Sequence, residues 1–193
     1  MTSPRTAPWL ADTRRSYDTV AGSYAEILRP VLAAKPHLRA ALALFADLVR
    51  DAGGGPVADV GCGPGHVTAR LREAGLDAFG LDLSPKMIEV ARRDHPGVRF
   101  TTGDMTRLAL ADASLGGLLA FWSTIHVPDE ELPAVCAGFH RVLRPGAPLL
   151  VGFHAGGTTT LKTTGYGGHP MHVHVHRRRP EQMADLLRDA GFV

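Results

Sequence analysis

Cysteine, lysine and long apolar runs are all scarce in this 193-residue sequence, and the first and last of these shortages each close off a class of protein. Two cysteines, Cys62 and Cys136, are too few for a disulfide framework. No apolar run has the length that spans a bilayer, and Met1-Thr2-Ser3-Pro4 shows no signal-peptide pattern, so a cytoplasmic protein without a membrane partner is expected. An excess of one charge is also missing. The 21 basic and 19 acidic residues leave a net charge of +2, without the electrostatic footprint of a nucleic-acid binder. All the basic residues but Lys35, Lys86 and Lys162 are arginine, which reads as codon bias before function. Hydrophobic residues, by contrast, make up 45% of the chain, enough at this length for a single core.

Glycine is plentiful, and its placement is informative. Residues 57 to 65 read Val-Ala-Asp-Val-Gly-Cys-Gly-Pro-Gly, a short apolar run carrying Asp59 and ending in three alternating glycines. Val57, Ala58 and Val60 have the character of a strand inside a parallel sheet, while Gly61, Gly63 and Gly65 permit a tight turn where a ligand touches backbone. His66 to Ala69 opens a helix whose free N–H groups would favour an anionic ligand group. Further strands are predicted over 78–83, 98–102, 118–121 and 148–153. Helices are predicted over 36–50, 86–93 (Ser84 as N-cap, Pro85 at the first position), about 132–143 and 180–190. Strands alternating with helices predict a doubly wound, Rossmann-like α/β sheet with helices on both faces.

Two acids stand at strand ends. Asp82 follows Gly63 by nineteen residues, a spacing suited to an acid that bonds ribose hydroxyls, and Asp104 lies in Gly103-Asp104-Met105. The dinucleotide fingerprint G-x-G-x-x-G is not met, because the third glycine comes one residue early and position 66 is His. Taken with Leu143-Arg144-Pro145-Gly146, these blocks resemble the class I S-adenosylmethionine-dependent methyltransferases from about residue 45 onward. The resemblance implies a small-molecule methyltransferase using S-adenosylmethionine and releasing S-adenosylhomocysteine, with a methyl acceptor attacking in line. Gly61, Cys62 and Gly63 would then approach the methionine part, with Asp59 helping to hold its ammonium. Asp82 would accept from the ribose hydroxyls, Leu83 flank the adenine, Asp104 accept from the adenine amino group and the Met105 N–H meet a ring nitrogen. Phe121 and Trp122 would wall the methionine chain. Two other readings stay open: a binder of the cofactor that methylates nothing, and a nicotinamide-dependent oxidoreductase.

The family adds two strands after the fifth, and the chain stops at Val193. The fold is therefore expected to lack the last two family strands and to leave the fifth as an edge. Either the sequence is a truncated form, or another segment or subunit covers that edge, with self-association possible through it. Residues 1–35 are expected as a helical cap before the 36–193 domain, with 155–179 inserted as a substrate lid. In the cap, Tyr17 and Tyr24 are seven residues apart and share a helix face, where they either line the cofactor site or dock the helix. His126, just after the fourth strand, is the first candidate for a general base or substrate-orienting group, and His154, after the fifth, is the second. Met171-His172-Val173-His174-Val175-His176 alternates like a strand. Its outer histidines would lie roughly 13 Å apart, too far for one metal, so no metal is expected. A lid wall and a solvated face remain as readings of that strand. The flanking Gly156-Gly157-Thr158-Thr159-Thr160 and Gly165-Tyr166-Gly167-Gly168 read as mobile loops, and Arg177 to Arg179 as a solvated run or an anion-holding group.

Overall fold

The computed structural model describes residues 7–193. Of the expected cap, residues 1–6 lie outside the described residues. Five parallel strands form one sheet: β1 (Pro56–Val60), β2 (Asp77–Asp82), β3 (Arg99–Thr102), β4 (Gly117–Phe121) and β5 (Leu149–Gly152), in the order β3-β2-β1-β4-β5. The chain winds outward from β1 through β2 to β3, then returns to β4 on the other side of β1. Strand order therefore reverses between β1 and β4, and a crevice opens at their carboxyl ends.

Both faces of the sheet are covered, which is why β1 and β4 read as nearly unbroken apolar runs. Ala58, Val60, Leu118 and Ala120 meet Val135 and Phe139 of α6 (Leu132–Val142) on one face. Val57 and Leu119 meet Phe45 and Val49 of α3 (Pro36–Asp51) and Leu71 of α4 (His66–Glu73) on the other. The interior of β1 is fully buried. On α5 (Pro85–Asp94), Ser84 caps the first turn by accepting from the Met87 N–H at 3.1 Å, and Pro85 takes the position where no N–H is needed. No helix among the described residues is long and apolar enough to cross a membrane.

Two parts lie outside this frame. The first is α1 (Pro8–Leu28) with the short α2 (Val31–Ala34). The second is a hairpin of β6 (Thr159–Thr164) and β7 (Pro170–His176), a separate antiparallel sheet that does not extend β5. The hairpin corrects part of the loop expectation, since Thr159 and Thr160 begin a strand while Gly165 to Gly168 form the turn into the histidine strand. Thr159 to Thr164 is rich in β-branched residues and pairs along β7, and Gly165 leaves room for the Met171 thioether and Val20. Met171 and Val173 are buried against α1, while His172 and His174 face outward. β5 pairs only with β4 among the described residues, and its four residues are half-buried.

Arg178, expected in a solvated or anion-holding run, is instead 1% exposed. Its Nε donates to Asp129 at 2.8 Å, and its terminal nitrogens donate to the Thr124 and Val127 carbonyls. It ties the segment before α7 (Pro180–Asp189) to the loop after β4. Replacing it by Met keeps the volume and orphans two carbonyls, so Arg178→Met is expected to cost about 2 kcal/mol, read as a lower urea midpoint with unchanged slope.

Candidate active site

The crevice floor is the turn after β1. Gly61 and Gly65 hold φ of +79° and +82°, where a side chain is strained. A Cβ at Gly61 would lie 2.2 Å from that of Ser123, and one at Gly65 would lie 2.5 Å from the Phe100 ring. The turn's donors are already committed. Gly61 and Cys62 N–H both donate to the Leu81 carbonyl, at 2.6 and 3.1 Å, and Gly63 N–H donates to Asp82 Oδ2 at 2.8 Å. The Cys62 N–H is thus spent within the turn, and its buried side chain packs with Ile88, Ala91 and Phe100. The start of α4 differs from expectation, because the anion there is Asp59 of the chain itself. Asp59 Oδ2 accepts from the Thr68 hydroxyl at 2.6 Å, and the Thr68 N–H also bonds the carboxylate.

Burial shifts both acids. Desolvation pushes the Asp59 carboxyl up to about 7 against the lowering effect of Thr68, and pushes Asp82 up to about 6 against that of its two N–H donors. Asp82 Oδ1 accepts from the Ser84 N–H at 2.8 Å, so each carboxylate oxygen is anchored on one side and keeps a lone pair. Asp104 Oδ1 accepts from Thr106 N–H and hydroxyl, both at 2.8 Å, which leaves Oδ2 unengaged. The structure brings Asp82, Leu83, Asp104 and Met105 together with Gly61 and Gly63 around one crevice, roofed by Trp9, Thr13 and Tyr17 of α1. Asp59 lies outside that crevice and borders a second one, lined also by Cys62.

The two crevices share Tyr17, Tyr24, Gly61, Gly63, Phe121 and Trp122. Tyr17 and Tyr24 rings meet edge to face at 5.8 Å, as do Phe121 and Trp122 at 4.4 Å. Trp122 holds φ of +53°, rare for a bulky residue, and is fixed there by its N–H donating to the Gly152 carbonyl at 2.7 Å.

His126 does not present the free nitrogen that a base needs. It is 7% exposed, and its Nδ1 lies 2.8 Å from the His174 carbonyl on β7. A carbonyl only accepts, so Nδ1 carries the proton and Nε2 is the acceptor for the Tyr17 hydroxyl at 2.7 Å. Burial pulls the imidazole down to about 4 and pushes the Tyr17 phenol well above its ordinary range, so the pair stays neutral. His154 is different: half-buried on the second crevice, 6.4 Å from the Trp122 ring, it makes no side-chain hydrogen bond among the described residues. Desolvation, then the nearby Arg177 charge, lowers its pKa.

The histidines of β7 stack along one face with ring centroids 6.2 and 6.3 Å apart, and no group of three or more His, Cys, Asp or Glu is arranged for a metal among the described residues. The residues that seat the cap escaped the sequence reading. Asp18 Oδ1 accepts from the Ser84 hydroxyl at 2.6 Å, the His172 N–H donates to Ser16 Oγ at 2.8 Å, and Ser23 donates to the Tyr166 carbonyl at 2.8 Å. Short polar residues on a helix carry no signal of partners so distant in sequence.

A family model described as a methyltransferase domain matches residues 57–146, from β1 through the Arg-Pro-Gly stop. The match supports a class I S-adenosylmethionine-dependent methyltransferase domain over these residues. Among relatives of this chain, the malonyl-(acyl-carrier protein) O-methyltransferase of Serratia marcescens is 35% identical over 100 residues, 52% of this chain and 38% of that protein. The chain thus spans less than half the length of this curated relative. The 1,6-didemethyltoxoflavin-N1-methyltransferase of Burkholderia thailandensis, solved with S-adenosylhomocysteine, matches at 26% identity and TM-score 0.67, over 100% of this chain and 83% of that one. The DhpI–SAH complex matches in fold at 21% identity and TM-score 0.73, over 97% and 89%.

The raised Asp59 carboxyl carries a pH signature. A carboxyl whose folded-state pKa lies above its unfolded value of 3.8 contributes stability that is full below about pH 4 and is lost as pH climbs through 7. Asp59→Asn keeps an acceptor for Thr68 and cannot ionise. Thermal unfolding without ligand should show the variant gaining on the wild type between pH 5 and 8; a constant gap would contradict a raised Asp59.

Proposed function

We propose that the protein transfers a methyl group from S-adenosylmethionine to a small-molecule acceptor. The observation that carries this is the first crevice, where Asp82, Asp104 and a glycine floor face one space with acceptor atoms left over. Such a donor set suits this cofactor: Asp82 takes the ribose hydroxyls, Asp104 the adenine amino group, and Leu83 and Met105 the ring. Gly63 fits the same reading, since a Cβ there would project to 3.6 Å from the Tyr24 ring and fill the cradle. Asp59, charged once a cation approaches, supports the ammonium from behind the turn. When bound, the cofactor supplies a methyl group already activated by its positive sulfur, for an O-, N- or C-nucleophile placed in line.

The chain's own task is placement and the exclusion of water. Tyr17 and Tyr24 cover the turn from α1, and Phe121 and Trp122 close it from β4. His126, as neutral acceptor, orients the Tyr17 hydroxyl so that its oxygen lone pairs stay free for the crevice. His154, uncommitted and largely neutral at pH 7, takes the proton of an acceptor hydroxyl where one must leave.

Asp82→Ala should weaken S-adenosylmethionine binding by about 2 kcal/mol, roughly thirtyfold, in calorimetry. Unchanged affinity would remove the ribose assignment, and a preference for a nicotinamide cofactor would remove the whole reading. Formation of S-adenosylhomocysteine with an acceptor panel separates an enzyme from a silent binder. In such an assay Tyr17→Phe should lower kcat about tenfold with cofactor affinity nearly unchanged, as expected for a lost orienting hydroxyl of about 1.4 kcal/mol.

A further inference from the structure

The second crevice carries a charge pattern that the first does not. It is a chamber of about 360 Å³, within the range of small-molecule sites, and opens directly beside the shared aromatic neck. Its body is apolar, with Leu28, Val31, Leu32 and Leu38 of the cap side facing Phe121 and Trp122. Tyr166 of the hairpin packs edge to face on Tyr24 at 4.5 Å and narrows it further.

Every charged or titratable side chain lining this chamber is basic or phenolic, with two exceptions. Lys35 and His37 stand exposed at its cap side, and His154 and His66 line its walls. The exceptions are Asp59, 1% exposed on the floor and already bound by Thr68, and the buried Cys62 thiol, which desolvation keeps neutral. His66 has a buried Nδ1 without a partner among the described residues, and burial keeps its ring neutral.

We propose that the acceptor is an apolar aromatic carboxylic acid, held by its ring between the aliphatic cap and the aromatic neck with its carboxylate toward Lys35 and His37. The proposal rests on the methyltransferase reading and adds the substrate class to it. A flat ring matches walls that offer area and almost no hydrogen bonds, and a negative group meets a rim without a free carboxylate. An amine would be carried as a cation toward a rim where the exposed charge, Lys35, is of its own sign.

The test is calorimetry in saturating S-adenosylhomocysteine with three probes of one ring size: 3-hydroxy-2-naphthoate, its carboxamide, and 2-(aminomethyl)naphthalene. The acid is expected to bind about fivefold tighter than the amide, the worth of one partly exposed charge pair, with the amine weakest. Lys35→Glu should abolish the preference of acid over amide and leave S-adenosylhomocysteine affinity as it was. Equal or tighter binding of the amide or amine, no binding of the acid, or a preference untouched by Lys35→Glu overturns the proposal alone. Failure of S-adenosylhomocysteine itself to bind brings down the methyltransferase reading and the proposal with it.

Discussion

One carboxylate holds the architecture of the site together. Asp82 ends β2 and accepts from Gly63 N–H with one oxygen and from Ser84 N–H with the other. The first bond fixes the glycine turn after β1, and the second fixes the entry to α5. Ser84 in turn donates to Asp18 and accepts from the first turn of α5, so the cap helix is registered on the same point. The acid is desolvated in the process, which is why its proton affinity rises. A half-buried, desolvated acid tied by two backbone donors is a costly arrangement whose remaining lone pairs await further donors.

From that point the enclosure is built by groups far apart in sequence. The cap helix is seated on α5 through Asp18, on β7 through Ser16 and on the hairpin turn through Ser23. His126 joins three parts at once, since its ring lies between Tyr17 of the cap and the His174 carbonyl of the hairpin. Arg178 then locks the loop that carries His126 by holding the Thr124 and Val127 carbonyls. All of these bonds are short, directional and buried or half-buried, so the roof and the wall of the crevice are one hydrogen-bonded unit.

What was legible in advance was local. The Gly61-Cys62-Gly63-Pro64-Gly65 turn, the strand-end acids and the Ser84-Pro85 helix start each depend on the conformational demands of one or two residues, and these survive in any context. The histidine strand was legible by its alternation, while its partner β6 was not, because Thr159 to Thr164 lies between glycines and has no apolar alternation. Arg178 was misjudged for one reason. Motif position and charge run say where a residue stands in the chain, and nothing about which way the folded backbone turns its side chain.

The sequence by itself determined the donor half of this protein: a parallel sheet, a glycine turn and two acids, because strand periodicity and positive φ are requirements that act within a few residues. Only the tertiary structure decided the other half. It made His126 a neutral partner of Tyr17, turned Arg178 inward, and lined the second chamber with basic groups around an apolar body. Those outcomes depend on burial and on contacts across more than a hundred residues, as between Tyr17 and His126. No local pattern encodes them, because desolvation is a property of the packed whole.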